Sequence, residues 1–440
     1  MNVYSAHPRT SRMRSSTGCR HAVAAAMNLS SPLSEPSPHA LRDRQDFDAT
    51  SASASQAAGA VHDAPHHAVF AGERASAAAL PTPVAINGKF TSQRLTGVQR
   101  VAHEFTSALA RLLPGERNPT LVVPRDHASD ALPPAVARRV VPRLRGALWE
   151  QLALPFATRG QTLVSLCNVG PLFKRNQVVM IHDVAVFDFP QGYSLAFRLW
   201  YRFAFWMLKR NARHILTVSR FSKERIVARL GVAPTDVSTI VSGVDHFGRI
   251  DSDPSVLERL GLAYDGFVLI VGSIAPGKNL ARTLDAIARL ERARPELKFV
   301  IAGGSNVKIF GTSTLGDNAS ARNVTWAGYV SDGELKALYE NAGCFVFPSL
   351  YEGFGLPPLE AMYCGCPVIV SREASLPEAC GDAALYCDAH DATDIAATIA
   401  QLMGDAELRR EMRGKGRRHA SRFRWDVAAK QLIGVLRALD

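Results

Sequence analysis

Residues 344–371 read CFVFPSLYEGFGLPPLEAMYCGCPVIVS, and their pattern indicates the fold class. Its first apolar run predicts a strand that ends at Pro348. Pro357 and Pro358 predict the first turn of a helix, where a missing backbone N–H leaves no hydrogen bond unmade. The helix is predicted to stop before Pro367, which opens a second strand. Strand, loop, helix and strand in this order form one βαβ unit of a parallel sheet.

The loop between the first strand and the helix is where we expect the chemistry, because ligands of open α/β sheets bind beyond the carboxyl ends of the strands. Gly353 and Gly355 are predicted to let the backbone approach a ligand closely. The backbone amides of Phe354, Gly355 and Leu356 are predicted to point out of the helix N-terminus. Such amides form an anion site that suits a diphosphate.

Two glutamates flank this loop. Glu352 precedes the glycines, and Glu360 follows about two helical turns into the predicted helix. Carboxylates only accept hydrogen bonds, so they suit the vicinal hydroxyls of sugars. We therefore predict that Glu352 contacts the sugar of a nucleotide-sugar donor and that Glu360 contacts its ribose. The alternative interpretation is that both are solvated carboxylates without a ligand.

Glu352 and Glu360, separated by seven residues that include Gly-Phe-Gly-Leu, resemble the signature of retaining family-4 glycosyltransferases of the GT-B fold. The following Ala-Met-x-x-Gly-x-Pro-Val-Ile-x-Ser is similar to the same family. Residues 96–100 (Thr-Gly-Val-Gln-Arg) and 149–151 (Trp-Glu-Gln) resemble its mannosyltransferase-like subgroup of polysaccharide and O-antigen biosynthesis. The resemblance covers residues 83–440. It implies an α/β fold of two Rossmann-like parallel-sheet domains that face a cleft, with a C-terminal helix that crosses back to the first domain.

Composition supports a globular protein of at least two domains, with 440 residues of which 47% are hydrophobic. The formal net charge of +11 favours acidic partners, namely nucleic acid, anionic lipid or a sugar diphosphate. No apolar run reaches the roughly 18 residues that a membrane span requires. The seven cysteines show no disulfide-framework spacing, so we expect reduced thiols. We therefore expect a cytoplasmic protein, either free or peripheral on the inner face of the membrane.

The chain divides into three predicted regions. Residues 1–80 are rich in Ala, Ser, Pro and His and are predicted to be a disordered extension. Residues 81–250 are predicted to form the acceptor-side domain, which the C-terminal helix 425–440 joins. Residues 251–424 are predicted to form the domain that binds the donor.

Two candidate residues lie in the predicted first domain. Gly97 opens a helix and is assigned to donor binding, although a simple strand-to-helix turn explains it as well. His182 follows a buried strand, so its side chain is placed to meet a substrate and is assigned a catalytic role together with Glu352. The alternative for His182 is a structural histidine whose partner is the neighbouring Asp183.

Two further candidates follow the first strand of the second domain. The resemblance implies that residues 267–290 hold the second phosphate-binding element, with Ser273 and Lys278 as donor ligands. A lysine after a glycine-rich loop is a natural ligand of a diphosphate. The family often has arginine where Ser273 or Gly277 stands, so Lys278 is left as the main cation.

The segment 194–213 alternates basic with large apolar side chains. It has two interpretations: a helix that lies on an anionic membrane, or a core helix with a basic outer edge. The second is favoured, because ten apolar side chains require a core. The apolar positions are Leu195, Phe197, Leu199, Trp200, Tyr201, Phe203, Phe205, Trp206, Met207 and Leu208.

The predicted function is transfer of a hexose, with mannose from GDP-mannose as the candidate, to a saccharide or lipid-linked saccharide acceptor. The resemblance implies retention of configuration. Neither a metal nor another cofactor is expected, because one cation and the loop amides neutralise the leaving group. The alternatives are a non-catalytic nucleotide-sugar-binding module and a GT-B epimerase or phosphorylase, although no pyridoxal-lysine motif is present. A nucleic-acid partner is not expected, since only the charge suggests one.

Overall fold

The computed structural model describes the chain from residue 83 onward, with short gaps. The predicted disordered extension 1–80 and the candidate Ser273 lie outside the described residues. The described ranges are 83–113, 115, 118–127, 132–272, 275–303 and 323–440.

The first sheet has seven parallel strands in the order β3-β2-β1-β4-β5-β6-β7. Its central strands are buried on both faces, which explains why they read as continuous apolar runs and not as an alternating pattern. The strands are β1 Val84–Asn87, β2 Thr120–Pro124, β3 Arg138–Val141, β4 Thr162–Ser165, β5 Gln177–Met180, β6 His214–Thr217 and β7 Val237–Thr239.

Helices cover both faces of this sheet. One helical segment, 146–157, contains a π-helical turn between two short α-helical pieces; we call it α2. The helices are α1 Gly97–Leu112, α2 (Gly146–Leu148, Trp149–Ala153 and Leu154–Ala157), α3 Ala185–Asp188, α4 Leu195–Asn211 and α5 Arg220–Leu230.

The second sheet has six parallel strands in the order β10-β9-β8-β11-β12-β13. The βαβ unit predicted for residues 344–371 is confirmed, since β11 pairs in parallel with β12 and a helix lies between them in the chain. The strands are β8 Phe267–Val271, β9 Lys298–Ala302, β10 Val324–Gly328, β11 Cys344–Phe347, β12 Val368–Ser371 and β13 Leu385–Cys387.

The helices of the second half pack on this sheet, except the last one, which returns to the first. They are α6 Ser255–Leu260, α7 Leu280–Ala293, α8 Asp332–Asn341, α9 Leu356–Tyr363, α10 Leu376–Cys380, α11 Ala392–Gly404, α12 Ala406–Ala420 and α13 Trp425–Ala438.

Helix α13 crosses back to the first sheet, as predicted. The fully buried Trp425 at its start packs edge-on against Phe105 of α1, with ring centroids 5.4 Å apart. Its backbone N–H donates to the Asp245 carboxylate at 2.9 Å, in the segment that links the two sheets. Removing a buried tryptophan typically costs about 3–5 kcal/mol. This anchor therefore holds helix α13 against the first domain and against the segment that links the two sheets.

Helix α4 departs from the favoured prediction of a core helix. Phe205 and Leu208 are buried, but Leu195, Leu199 and Trp206 are 65%, 58% and 46% exposed. The prediction is wrong for about half of the apolar positions, because the sheet accepts only one side of a helix and α4 is apolar around most of its circumference. Within the described part of the chain, no helix is both long and apolar enough to cross a bilayer.

The described cysteines carry free thiols, in agreement with the predicted lack of a disulfide framework. Burial raises the pKa of Cys344 and of Cys380 to about 12, so both stay protonated and behave as small apolar side chains.

Candidate functional site

The loop after β11 is fixed by side chains from neighbouring elements. The Asn279 amide donates to the Pro348 carbonyl at 3.0 Å. The buried Ser375 hydroxyl reaches the carbonyls of both Glu352 and Phe354, at 2.9 and 2.8 Å. Because its carbonyls are bound in this way, the loop holds one conformation and presents its remaining groups at the carboxyl edge of the sheet.

The start of helix α9 has the predicted form. Gly355 adopts φ +115°, a conformation that side chains rarely allow, and Leu356 follows as the first helical residue. Among the described residues, no acceptor receives a hydrogen bond from the backbone amides of Phe354, Gly355 or Leu356. These donors are therefore available to an anion, and the diphosphate site stays a prediction.

Gly353 packs tightly against the first domain. A Cβ atom on Gly353 would lie 2.5 Å from the carbonyl oxygen of His182, which belongs to the first domain. The Gly353 carbonyl in turn accepts hydrogen bonds from the hydroxyls of Ser219 at 2.6 Å and Ser222 at 2.9 Å. The glycine thus makes room for the backbone of the opposite domain, and its approach to a ligand stays a prediction.

His182 lies just beyond the carboxyl end of β5, and its imidazole is buried. Its Nε2 donates to the Leu166 carbonyl at 2.8 Å, since a carbonyl can only accept. Burial lowers the pKa of His182 to about 4, so the ring is neutral and its Nδ1 is a hydrogen-bond acceptor. The alternative partner, Asp183, is wrong, because the Asp183 carboxylate accepts instead from the backbone N–H of Ala185 at 2.9 Å.

Lys278 and Glu352 are brought together, with 2.6 Å between Nζ and Oε1. The ammonium also lies 4.8 Å from the centre of the Phe347 ring. Lys278 ends a short 3-10 turn and precedes helix α7, with Asn279 in the left-handed region at φ +59° between them. A diphosphate that binds Lys278 must therefore compete with Glu352 for it.

The His182 and Lys278 parts of the site belong to one electrostatic environment. Burial raises the pKa of Asp183, the neighbouring Glu352 carboxylate raises it further, and the Lys278 ammonium lowers it. A Cβ atom on Gly353 would lie 3.2 Å from the Asp183 Cβ atom, so the end of β5 from the first domain lies beside the loop after β11 from the second. The carboxyl edges of the two sheets therefore meet at this site.

Glu360 is buried, and its Oε1 lies 3.3 Å from Nε2 of His246. The other ring nitrogen of His246 accepts a hydrogen bond from the Trp425 indole N–H at 3.2 Å, so Nε2 carries the proton and faces the carboxylate. The sequence interpretation missed His246, which no local pattern marks. The predicted ribose contact of Glu360 stays a prediction.

Gly97 is exposed at the first position of α1, and a Cβ atom there would meet nothing within 4 Å. One turn later, the Arg100 guanidinium forms an ion pair with Asp332 at the start of α8 in the second domain. The N-terminus of α1 therefore lies at the boundary between the domains, with open space beside Gly97.

A further contact across the domain boundary escaped the sequence interpretation. The Glu378 carboxylate of α10 accepts hydrogen bonds from the backbone N–H groups of Arg220 at 2.7 Å and Phe221 at 3.0 Å, which open helix α5. A carboxylate at a helix N-terminus is favoured by the helix dipole. Nearby, the Tyr351 hydroxyl donates to Asp188 at 3.0 Å. These bonds hold the domains in a closed arrangement.

No group of three or more His, Cys, Asp or Glu side chains among the described residues is placed to hold a metal ion. The site thus combines a cation paired with a carboxylate, a neutral histidine and three backbone donors at the opposed edges of two parallel sheets. Two such domains with this edge-to-edge site define the GT-B class of glycosyltransferases.

Comparisons with known proteins give the family. The profile described as "Glycosyl transferases group 1" matches residues 262–419. The O-antigen chain mannosyltransferase B of Escherichia coli is 32% identical over 268 residues, which cover 60% of this chain and 70% of that protein. The chain belongs to this family of group 1 glycosyltransferases, and it is an enzyme that transfers a glycosyl group.

Two other similarities are more limited. The serotype-specific mannosyltransferase WbdA of Escherichia coli is 29% identical over 239 residues, and the match spans 52% of this chain but 29% of that protein. The crystal structure of HepE from Anabaena, in complex with UDP and glucose, superposes with a TM-score of 0.63 at 16% identity. That match covers 81% of this chain and 100% of HepE, and it confirms the predicted fold class.

Proposed function

We propose that this glycosyltransferase retains the configuration of a hexose that it transfers from a nucleotide-sugar donor to a saccharide or lipid-linked saccharide, without a metal ion. Mannose is the candidate sugar and GDP-mannose the candidate donor, supported by the relatives named as mannosyltransferases. The observation that carries the proposal is the Lys278 ammonium, 2.6 Å from Glu352 beside the unbonded amides at the start of α9.

The leaving diphosphate is where negative charge develops during transfer. Lys278 and the amides of Phe354, Gly355 and Leu356 stabilise that charge, and such fixed donors contribute most in a site that excludes water. The acceptor hydroxyl oxygen bonds to the anomeric carbon on the face from which the diphosphate departs. Its proton passes to a diphosphate oxygen, so neither a protein nucleophile nor a separate base is required.

The sugar is oriented by the two candidate catalytic residues. Once a diphosphate draws Lys278 away, the Glu352 carboxylate can accept hydrogen bonds from sugar hydroxyls. The neutral His182 accepts another at Nδ1, because its Nε2 proton is already held by Leu166. Both residues touch the sugar and not the leaving group, so they act on orientation and on charge at the reacting carbon.

The acceptor side is proposed to lie against an anionic membrane through residues 194–213. Leu199 and Trp206 are exposed on α4, and the Arg210 guanidinium stacks 3.9 Å from the Trp206 ring centre. Tryptophan and arginine together suit the headgroup region of a bilayer. A lipid-linked acceptor would reach the first domain from that surface.

The test combines a thermal-shift screen over nucleotide sugars with a transfer assay on the full chain. We expect GDP-mannose to raise the melting temperature most, because a ligand that binds only the folded state stabilises it. Lys278→Ala should fold normally and lose about 10²–10³ in kcat. Lys430→Ala, which removes an exposed lysine of α13, is the matched control and should keep full turnover.

Two results would contradict the proposal. Near-normal turnover of Lys278→Ala would remove the cation from the mechanism. Donor binding without transfer to any saccharide, and without slow donor hydrolysis, would favour the non-catalytic binding module instead.

A further inference from the structure

The π-containing helix α2 carries an apolar stripe on its outer side. Leu148, Leu152 and Phe156 are 54%, 60% and 68% exposed, while Trp149 and Leu154 on the opposite side are fully buried. Three large apolar side chains one turn apart form a continuous ridge on a helix. Nothing in the described chain covers this ridge.

Helices α2 and α4 lie on the same face of the first sheet. The strand residues beneath α2 include Ala85 and Leu163, and those beneath α4 include Val179 and Ile215. Ala85 is the parallel partner of Leu163, and Val179 is the partner of Ile215. Ser165, two residues after Leu163, pairs with Val179, so all four side chains point to one side of the sheet. The outer sides of α2 and α4 therefore belong to one surface.

The loop between β4 and β5 joins the two helices. The Gln151 amide of α2 donates to the Gly170 carbonyl at 3.1 Å, and the Asn211 amide of α4 donates to the Leu172 carbonyl at 2.7 Å. Phe173, the next residue, is 77% exposed. The loop thus adds a third apolar group between the stripes of α2 and α4.

Nearly all charges in the three segments that form this surface are basic. The only acid in residues 138–160, 170–177 and 194–213 is Glu150, which is buried against Lys89 at 2.7 Å. The Arg159 guanidinium lies 4.6 Å from the Phe156 ring centre, the same arrangement that Arg210 makes with Trp206. The exposed arginines of these segments are Arg139, Arg143, Arg145, Arg159, Arg175, Arg202, Arg210 and Arg213. Of these, Arg213 lies 3.7 Å from the Asp440 carboxylate.

We propose that α2, Phe173 and α4 form one docking platform for an anionic lipid bilayer. The platform is defined by Leu148, Leu152, Phe156, Phe173, Leu199, Phe203 and Trp206. A second copy of the chain would bring like charges together, whereas anionic headgroups complement the arginines while the apolar side chains enter the interface. This inference rests on the membrane contact proposed above for residues 194–213 and adds a second, independent element to it.

The platform also adjoins the cleft. Burial raises the pKa of Tyr201 on α4 to about 12, and the nearby Asp183 carboxylate adds to the rise. Tyr193, just before α4, is influenced in the same way by Asp183 and Glu352. The Tyr193 ring stacks on Phe197 of α4, with ring centroids 5.2 Å apart. Four residues before Tyr193, the Phe189 ring lies 4.0 Å from a Cβ atom placed on Gly277, next to Lys278. The start of α4 thus lies near the Lys278 loop, while Leu199 and Trp206 face outward. A lipid-linked acceptor held in the bilayer would enter the cleft along this helix.

The experiment measures flotation of the full chain with vesicles of phosphatidylethanolamine and phosphatidylglycerol, compared with pure phosphatidylcholine. Leu152→Ser/Phe156→Ser should lower the partition coefficient by about tenfold or more, since each side chain loses part of its apolar burial. Phe203→Ser/Trp206→Ser on α4 should act similarly. Tyr264→Ser, which removes an exposed aromatic of the second domain, should not.

The charges are tested with a second pair of variants. Arg143→Gln/Arg145→Gln should weaken flotation by about fivefold for each charge removed, and less at high salt. Arg289→Gln/Arg292→Gln, on the exposed side of α7, is the matched control and should bind like the wild type. Unchanged melting temperatures establish that every variant is folded.

The outcomes separate the two proposals. Loss of binding in both apolar double variants supports the platform. Loss in the α4 variant alone overturns the platform and leaves the contact of residues 194–213 standing. Absence of vesicle binding in the wild type overturns both. A stable dimer that Leu152→Ser/Phe156→Ser dissociates overturns the platform, because a second copy would then cover α2.

Discussion

The substitution Gly353→Ala is predicted to separate the two domains at the candidate site. The added Cβ atom would lie 2.5 Å from the His182 carbonyl oxygen. Ordinary carbon–oxygen contacts of this kind are about 3.3 Å or longer, so the two backbones must separate by roughly 0.8 Å. Because the loop of Gly353 is held by Ser375 within its own domain, the movement falls mainly on the contact between the domains.

The cost follows from the bonds at that contact. Ser219 donates to the Gly353 carbonyl at 2.6 Å, and a further 0.8 Å or so takes this bond beyond the usual range for hydroxyl donors. Ser222 shares its one hydroxyl proton between the Gly353 and His182 carbonyls, both at 2.9 Å, so it keeps a partner when the domains separate. The lost bond of Ser219 costs about 1 kcal/mol, and the loss of one of two acceptors for Ser222 costs about half as much. Residual steric strain adds about another 1 kcal/mol, the low end for overpacked sites. The closed arrangement should therefore be disfavoured by about 2.5 kcal/mol, or roughly 70-fold.

Amide hydrogen exchange measures the equilibrium between the closed and the separated arrangement of the two domains. The N–H groups of Arg220 and Phe221 are bonded to Glu378 across the boundary, so they exchange when the domains part. We expect their exchange in Gly353→Ala to be about two orders of magnitude faster. We also expect a larger radius of gyration in solution scattering and a comparable fall in kcat/KM.

Gly434→Ala is the control for the substitution itself. It lies in α13, where a Cβ atom meets nothing within 4 Å, and it should raise stability by about 0.5–1 kcal/mol without altering exchange at Arg220. Wild-type exchange and wild-type turnover in Gly353→Ala would refute the reasoning, since the glycine would then not be required for closure.

Two other predictions follow from the same site. Glu378→Ala should remove both bonds to α5 and accelerate hydrogen exchange of the Arg220 amide by about tenfold to a hundredfold. Glu378→Gln keeps one acceptor, so its exchange rate should lie between those of Glu378→Ala and the wild type. Equal exchange in all three proteins would show that Glu378 does not hold the two domains together. The pKa of His182 is about 4 in the folded protein and 6.5 when unfolded, so the unfolded state binds more protons between these values. The contribution of His182 to the free energy of unfolding should be fully present above about pH 6.5. It should decline by up to about 3 kcal/mol as the pH falls towards 4, measured by urea titration relative to His182→Gln. Parallel pH profiles of the two proteins would contradict this prediction.

Local sequence patterns were enough to predict the parallel strands and the βαβ unit of residues 344–371. The patterns are apolar runs that suit strands buried on both faces, prolines in the first turn of α9, and glycines where the chain turns. The two facing domains and the returning C-terminal helix came from the resemblance to the GT-B family. The sequence also indicated Lys278 and Glu352, because each lies in a loop at the carboxyl end of a strand and such loops converge at one edge. Their direct pairing, however, required the fold.

The tertiary structure alone decided what each group contacts. Gly353 faces His182, and Glu378 caps α5 from a distance of 158 residues along the chain. His246 joins Glu360 to Trp425, and no local pattern records contacts between segments so far apart. The sequence also could not predict which apolar side chains of α2 and α4 face outward, for a related reason. A helix with apolar side chains around most of its circumference has several possible inner sides, and only packing on the sheet selects which side is buried and which is left for a partner.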